Sequence, residues 1–237
     1  MKSFDKIKIL DNINNIESRK NMIIAIDGPA GSGKSTIAKL IADDLGLVYL
    51  DTGAMYRIVT LKALNEGILG NLDKIIKMLD KLRIDIKENG FYLDDINVSE
   101  EIRKPVVSEN VSNIAAIREV REKMVDLQRK FSESKNVILD GRDIGTVVLP
   151  DAELKIFLVA SVEERAERRY KENLEKGIPA DLETLKKEIA ERDYKDSHRE
   201  ASPLKPAADS IHFDTTGIGI AEVVKFIEEK AKKIIDK

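Results

Sequence analysis

The sequence predicts an α/β fold built on a parallel sheet, because a strand, a glycine-rich loop, a helix and a second strand follow one another from residue 22. Residues 22–27 (MIIAID) form a continuous apolar run that ends at Gly28-Pro29, as expected of a buried strand. From Ser35 to Leu45 the apolar residues fall on one helical face, and Gly46 suits the C-terminal cap. Residues 47–50 (LVYL) read as the next strand, and such a unit implies a right-handed crossover within one sheet.

A hairpin interrupts this α/β pattern. Residues 83–87 and 91–98 flank Glu88-Asn89-Gly90, and Asn-Gly between two such runs predicts a tight turn. The hairpin lies within residues 67–118, whose residue pattern differs from that of the flanking segments. We therefore interpret 67–118 as an insertion.

The sheet is predicted to resume after the insertion. A helix is expected from about Ile114 to Phe131, followed by apolar strands at 137–140, 154–159 and 210–214. The highly charged stretch 161–200 is predicted to be helical on both sides of Gly177-Ile178-Pro179, which would break a continuous helix.

Composition excludes several classes of function. The 237 residues carry a net charge of −3, which argues against a non-specific nucleic-acid binder. There is no cysteine, which rules out disulfides, thiolate nucleophiles and cysteine-ligated metals, and two histidines disfavour a multi-histidine metal site. No apolar run approaches the ~20 residues of a membrane span, and no apolar signal-peptide core is visible. We expect a soluble cytoplasmic protein with no membrane or nucleic-acid partner.

Residues 1–21 are polar and charged, and differ from the rest of the chain. Their apolar residues recur at every third position, which is compatible with one weakly amphipathic helix: Phe4, Ile7, Leu10, Ile13 and Ile16. We expect 1–21 to be a dispensable N-terminal extension of a domain that spans 22–237. Whether Met22 is the true first residue is left open.

The loop after the first strand fits the phosphate-binding pattern G-x-x-x-x-G-K-[ST] at every position from Gly28 to Ser35. Its glycines let the backbone aim N–H groups at phosphate oxygens, and the helix beginning near Lys34 adds its positive dipole end. Lys34 is predicted to face the ligand at the protein surface and to reach the β- and γ-phosphates, while the Ser35 hydroxyl is placed for Mg²⁺. The predicted ATP-binding residues are Gly28, Pro29, Ala30, Gly31, Ser32, Gly33, Lys34, Ser35 and Thr36.

The alternative interpretation is a glycine turn that matches by chance. The strand before the motif and the amphipathic helix after it argue against that alternative. The motif alone does not separate a kinase from a GTPase, a motor or an ATP-driven switch. The absence of an N/T-K-x-D guanine-reading motif disfavours a GTPase.

Four further blocks narrow the choice. They are DTGAMYR at 51–57, VILDGRDIG at 137–145, the arginines 165, 168 and 169, and RDYKDSHR at 192–199. At these residues, in this order, the chain closely resembles the cytidylate kinases of bacteria, from about Met22 to the C-terminus. This combination is far more specific than the phosphate loop alone.

The resemblance implies a P-loop nucleoside-monophosphate-kinase fold with a parallel five-stranded sheet flanked by helices. It also implies a monophosphate-binding insertion at about 67–118 and a short arginine-rich lid at about 165–182. The implied reaction moves the γ-phosphoryl group of ATP to CMP or dCMP with Mg²⁺ as cofactor, and the implied state is a monomer.

The resemblance, with the chemistry of phosphates, assigns roles to single residues. Arg57 and Arg142 are assigned to the CMP phosphate, since both lie near the carboxyl ends of adjacent strands, where open α/β sheets bind ligands. A guanidinium group can also bind phosphate oxygens bidentately. The predicted catalytic residues are Lys34, Arg57, Arg142, Arg168 and Arg199. The predicted CMP-binding residues are Thr52, Tyr56, Arg57, Ser112, Arg121, Arg142, Asp143, Arg192, Asp196 and Arg199.

Within that set, the family positions that contact the nucleoside, chiefly its base, correspond to Thr52, Ser112, Arg121 and Asp143. Those that hold the sugar correspond to Arg192 and Asp196, for which a plain ion pair four residues apart is the alternative. Tyr56 is expected along the sugar or base, or in the core. Asp143 has its own alternative, which is to hold Arg142 or the Gly145 turn in place.

The remaining assignments concern the lid and the metal. The three arginines 165, 168 and 169 are expected to clamp the transferring phosphoryl group, unless they form a charged face paired with Glu163, Glu164 and Glu167. Asp140 ends an apolar strand and is expected to order Mg²⁺ through water together with Ser35, or else to cap a turn. Asp27 is expected to brace the phosphate loop.

Two other functions stay open at this point. One is a related P-loop kinase for adenylate, uridylate or shikimate. The other is a non-catalytic nucleotide switch, which would bind nucleoside triphosphate without turnover on any monophosphate.

Overall fold

The computed structural model describes residues 22–87, 90–133, 136–175 and 177–235. The expected extension at 1–21 lies outside the described residues. Five strands form one parallel sheet in the order β2-β6-β1-β7-β8. They are β1 (Ile23–Asp27), β2 (Val48–Asp51), β6 (Val137–Gly141), β7 (Leu154–Val159) and β8 (Ile211–Asp214). The predicted fold class is confirmed, and each of the five strands predicted for this sheet lies within one residue of its observed bounds.

The central strands are apolar throughout because both faces of the sheet are covered. Ala25 of β1 packs into a buried cluster on one face, and its neighbours Ile24 and Ile26 pack into a second cluster on the other. Leu139 and Ile138 of β6 divide between the faces in the same way. This is the burial expected of parallel strands between helical layers.

Helices α1 (Lys34–Leu45) and α8 (Ile220–Ile235) lie against one face of the sheet. The first ends as predicted, since Gly46 adopts a left-handed conformation with φ 65° and its N–H bonds to the Ala42 carbonyl. Helix α2 (Thr52–Asn65) lies on the opposite face and begins directly after β2, where the Asp51 carboxylate accepts a hydrogen bond from the Ala54 N–H.

The predicted insertion contains α3 (Leu72–Leu79), a small antiparallel sheet and α4 (Pro105–Ala115). The hairpin is confirmed, although its turn residues 88 and 89 lie outside the described part of the chain. The three strands of this sheet are β3 (Ile84–Lys87), β4 (Gly90–Leu93) and β5 (Ile96–Asn97). Leu93, Val98 and Ile102 join the same buried cluster as α2, so the insertion extends the main core.

The predicted single helix from Ile114 to Phe131 is wrong. The chain forms α4, which ends at Ala115, and then α5 (Arg118–Ser132). Ile117 separates them with an extended backbone (ψ 124°) and packs its side chain against the core. An apolar residue at the break continues the apolar spacing, so the pattern read as one helix.

The charged stretch forms two helices, as predicted. They are α6 (Val162–Glu175) and α7 (Leu182–His198), the latter capped by the Asp181 carboxylate, which accepts from the Thr184 N–H. Gly177 between them has φ 67°, a conformation that favours glycine. In the described part of the chain, none of the helices has the length and apolar character needed to cross a membrane.

Candidate active site

The glycine-rich loop after β1 is folded tightly against the next strand. Gly28 has φ 151°, and a Cβ atom there would lie 2.0 Å from the Leu158 carbonyl oxygen. No other residue type fits such an approach. The loop leads directly into α1, whose N-terminus supplies free N–H groups for phosphate oxygens.

Lys34 is buried, which corrects the expectation that it faces the surface. Its Nζ donates hydrogen bonds to the Pro29 carbonyl at 2.6 Å and to Ser32 Oγ at 3.2 Å. Burial, together with the positive charge of Arg142, lowers the pKa of Lys34 to about 7, although Asp140 and Asp27 oppose the shift. A nearby anion stabilises the charged form of an ammonium group held in this way.

Lys34 belongs to a larger group of positive side chains, which we call the cation cluster: Lys34, Arg57, Arg142, Arg169 and Arg192. Burial lowers the pKa of Arg192 to about 9, and the charges of Arg142, Arg57 and Arg169 add to the effect. Burial also lowers the pKa of Arg57, and Arg169 and Arg142 contribute. Such convergence of like charges at the carboxyl ends of strands indicates a site for a polyanion.

Arg142 is oriented by a carboxylate on a distant helix. Its Nε donates to Asp196 Oδ2 at 2.9 Å, and its Nη1 donates to the Gly141 carbonyl at 3.3 Å. Burial alone would raise the pKa of Asp196, but Arg142 and Arg192 lower it. The hydrogen bond of Asp196 is thus made to Arg142 and not within its own helix. The buried Nε of Arg192 has no hydrogen-bond partner among the described residues.

Two arginines link the insertion to the carboxyl end of β2 and to the helix that follows it. Arg57 Nη1 donates to Ser108 Oγ at 2.7 Å and to the Ile102 carbonyl at 3.2 Å. Arg103 Nη2 lies 3.4 Å from Asp51 Oδ2, across the end of β2. Sequence reasoning missed Arg103, because no motif covers the turn on which it lies.

Asp143 lies between two guanidinium groups in the interior. Arg121 Nη2 donates to Asp143 Oδ2, and Arg199 Nη2 lies 3.8 Å from Asp143 Oδ1. Arg121 and Asp143 are each less than 5% exposed. Arg121 also donates to the Ala115 carbonyl at the end of α4. The Asp143 side chain therefore contacts Arg121 and Arg199 and does not hold Arg142 in place.

The turn after Asp143 is held by Asp27. Its two carboxylate oxygens accept from the Ile144 and Gly145 N–H groups, each at 2.8 Å. The prediction that Asp27 braces the phosphate loop is wrong, since it braces the turn that follows β6. Burial raises the pKa of Asp27 to about 6, against the effect of these two hydrogen bonds.

The other predicted nucleoside contacts lie on α2 and α4. Thr52 is buried at the start of α2, and its hydroxyl donates to the Asp140 carbonyl at 2.7 Å. Ser112 lies half-buried on α4, one turn before Ala115. The Tyr56 ring is buried, with the Arg121 guanidinium carbon 5.2 Å from its centre. The roles of Thr52 and Ser112 toward a nucleoside stay predictions.

The three arginines of α6 point to different partners. Arg165 pairs with Asp193 and donates to the Ala30 carbonyl of the phosphate loop at 3.0 Å. Arg168 pairs with Glu164, as the charged-face alternative expected, and donates to the Thr215 carbonyl at 2.8 Å. Arg169 acts electrostatically on Arg57 and Arg192. The catalytic role predicted for Arg168 stays a prediction.

The residues predicted for Mg²⁺ lie together behind the phosphate loop. Asp140 Oδ2 accepts from Ser35 Oγ and its Oδ1 accepts from the Tyr49 hydroxyl, both at 2.8 Å. Burial raises the pKa of Asp140 to about 6, with Asp51 adding to the shift. No group of three or more acidic or histidine side chains suited to a metal occurs among the described residues. One carboxylate and one hydroxyl fit Mg²⁺, which keeps waters and is held largely by substrate phosphates.

Comparison with known proteins decides the family. Residues 24–233 match the family model described as cytidylate kinase. The chain belongs to the cytidylate kinase family. It is 62% identical to a cytidylate kinase of Streptococcus gordonii over 224 residues, which cover 92% of this chain and 100% of that protein. It is 62% identical to the cytidylate kinase of Streptococcus mutans over 221 residues, or 90% and 97% of the two chains.

The fold also occurs in a distant solved structure. A protein of Eubacterium ventriosum described as uncharacterized has a TM-score of 0.52 at 12% identity, over 89% of this chain and 98% of that one. At this identity the similarity concerns the fold alone.

Proposed function

We propose that this chain transfers the γ-phosphoryl group of ATP to CMP or dCMP, giving ADP and CDP or dCDP. The observation that carries the proposal is the cation cluster, which includes Lys34 of the phosphate loop and Arg142, the residue before Asp143 of the buried Arg121–Asp143 pair. This arrangement supports phosphates bound at the cation cluster and a base bound beside the Arg121–Asp143 pair. The names of the relatives that are 62% identical support the same reaction.

Phosphoryl transfer requires alignment of the donor and acceptor and neutralisation of the negative charge on the phosphates, and it needs no strong base. The acceptor oxygen belongs to a phosphate that is already ionised near neutral pH. In this proposal the loop from Gly28 to Thr36 and Lys34 hold the ATP phosphates, while Arg57 and Arg142 hold the CMP phosphate. Asp196 fixes the direction of Arg142, since it accepts from Nε and leaves the far edge of the guanidinium to the ligand.

Arg169 is proposed to contact the transferring group, as the lid assignment expects, and its charge acts on Arg57 and Arg192. Arg192 and Asp196 are also proposed at the sugar, and Arg199 at the acceptor side. Exclusion of water from the γ-phosphoryl group, which the reaction also requires, would limit hydrolysis of ATP.

Ser35 and Asp140 are proposed to hold Mg²⁺, Asp140 through water. The bound ion would supply positive charge to the β- and γ-phosphate oxygens. We further propose that the enzyme is cytoplasmic and monomeric and acts on free nucleotides.

Choice of the base is assigned to Asp143, with Ser112 and Arg121 proposed as further contacts to the base. Cytosine presents an amino donor at position 4, where uracil presents a carbonyl acceptor. An ionised carboxylate only accepts hydrogen bonds, so Asp143 suits cytosine and opposes uracil. In a buried site such a mismatch costs several kcal/mol, since the polar groups are left unpaired.

Replacing Asp143 with asparagine tests this assignment. The amide can present a donor or an acceptor, so we expect the ratio of kcat/KM for CMP to that for UMP to fall toward unity, chiefly through loss on CMP. Steady-state kinetics with both monophosphates at saturating ATP measures the ratio in the wild type and in Asp143→Asn.

Asp209→Asn is the matched control, because Asp209 is an exposed carboxylate that pairs with Lys155 at 2.7 Å. The control should keep the wild-type ratio. If Asp143→Asn lowers both substrates in parallel and preserves the ratio, Asp143 is only a structural partner of Arg121 and Arg199.

A further inference from the structure

Unpaired polar atoms are concentrated behind the Arg121–Asp143 pair. The Tyr56 hydroxyl, both heteroatoms of the Gln128 amide and Nε of Arg121 are buried and lack a hydrogen-bond partner within the described residues. Gln128 is 1% exposed. A buried polar group without a partner destabilises the folded state, so four such atoms close together require a physical reason.

These atoms belong to side chains that follow one another in space. The Gln128 amide lies beside the Tyr56 hydroxyl and is among the groups that act on it, after burial and the charges of Arg121, Asp143 and Arg199. The Arg121 guanidinium lies over the face of the Tyr56 ring, and its Nη2 donates to Asp143. The order is therefore Gln128, Tyr56, Arg121, Asp143.

Among the described residues, no hydrogen bond to the hydroxyl group fixes the Tyr56 ring. Arg121 is held at its two terminal nitrogens, by Ala115 and Asp143, but its Nε is unpaired and its face rests on the ring. A small rotation of the ring would therefore tilt the guanidinium and move the Asp143 carboxylate. Charge-assisted pairs are sensitive to such tilts because their strength depends on planar alignment.

We propose that Gln128 is a positioning residue for the choice of pyrimidine. Its amide bonds to the Tyr56 hydroxyl through one internal water and so holds the ring on which Arg121 rests. The inference rests on the proposed function, because it requires that Arg121 and Asp143 read the base. It adds to that function a residue that contacts no ligand.

Two variants test the proposal. Gln128→Met removes both amide heteroatoms at similar volume, and Tyr56→Phe removes the hydroxyl and keeps the ring. Each is expected to lower the CMP-to-UMP ratio of kcat/KM about tenfold, with the KM for ATP within about twofold of wild type. The double variant should lose no more than the larger single loss, because the two groups act as one unit.

Met124→Leu is the matched control, since Met124 is fully buried on the same helix and the change conserves volume. It should keep the wild-type ratio. A purely structural Gln128 predicts a different pattern, in which Gln128→Met leaves the ratio unchanged and keeps or raises Tm, because unpaired buried groups have been removed.

The result for Asp143→Asn distinguishes a failure of the positioning role of Gln128 from a failure of base recognition by Arg121 and Asp143. If Asp143→Asn lowers the ratio while Gln128→Met and Tyr56→Phe preserve it, the positioning role is overturned and the proposed function stands. If Asp143→Asn also preserves the ratio, base reading by this pair fails, and the positioning role fails with it.

Discussion

Replacing Lys34 with methionine is expected to lower kcat at least ~100-fold, which is typical for loss of one preorganised group that neutralises charge in a transition state. Methionine keeps most of the aliphatic stem and removes the ammonium group, whose Nζ now donates to Pro29 and Ser32. The fold should survive, because burial and Arg142 both disfavour the charged lysine in the ligand-free protein. The measurement combines kcat at saturating ATP and CMP with Tm in the absence of nucleotide.

Lys39→Met is the matched control, since Lys39 is an exposed lysine of the same helix. It should change kcat by less than about twofold, as expected of a surface substitution. A Lys34→Met variant that retains more than about a tenth of wild-type kcat, a loss under ~1.4 kcal/mol, would contradict the role given to the phosphate loop.

Replacing Arg142 with alanine is expected to lower kcat/KM for CMP by about 100-fold or more while leaving the KM for ATP little changed. Arg142 lies at the centre of the cation cluster, where its charge lowers the pKa of both Lys34 and Arg192. Arg142→Lys should rescue little. A lysine ammonium group cannot bind phosphate bidentately while it also donates to Asp196, as the arginine does through its Nε. Initial rates with each substrate varied in turn give the two constants.

Asp196→Ala should show part of the same loss, since it frees Arg142 without removing its charge. The loss should exceed the ~1 kcal/mol that an exposed ion pair contributes, because Asp196 is only 5% exposed. If the alanine variants of Arg142 and Asp196 reduce Tm alone and leave kcat/KM for CMP intact, the pair is structural.

The strands and the phosphate loop were predictable because their signals are local. Apolar runs such as residues 22–27 divide between two covered faces, so composition alone marks them as buried strands. The loop motif fixes the positions of Gly28 and Lys34 relative to α1. The break at Ile117 was missed because that residue continues the apolar spacing while leaving helical geometry.

The partners of the charged residues were not predictable from local pattern. Asp196 bonds to Arg142 across 54 positions of the chain, and Asp27 reaches Ile144 across 117, so only the folded arrangement pairs them. Arg168 and Arg169 are adjacent, and the orientation of α6 decides which of them faces the cation cluster. Gln128 carries no motif, and its signal is burial without a partner, which exists only in three dimensions.

The release of nucleoside diphosphate, measured in a coupled assay with ATP and a panel of acceptors, tests the proposed function most directly. The panel consists of CMP, dCMP, UMP, AMP and shikimate, with ATP alone as the blank. The account predicts the highest kcat/KM on CMP or dCMP, lower values on UMP and AMP, and no transfer to shikimate above the blank. Preferred turnover of AMP or shikimate, or binding of ATP without turnover on any monophosphate, would contradict it.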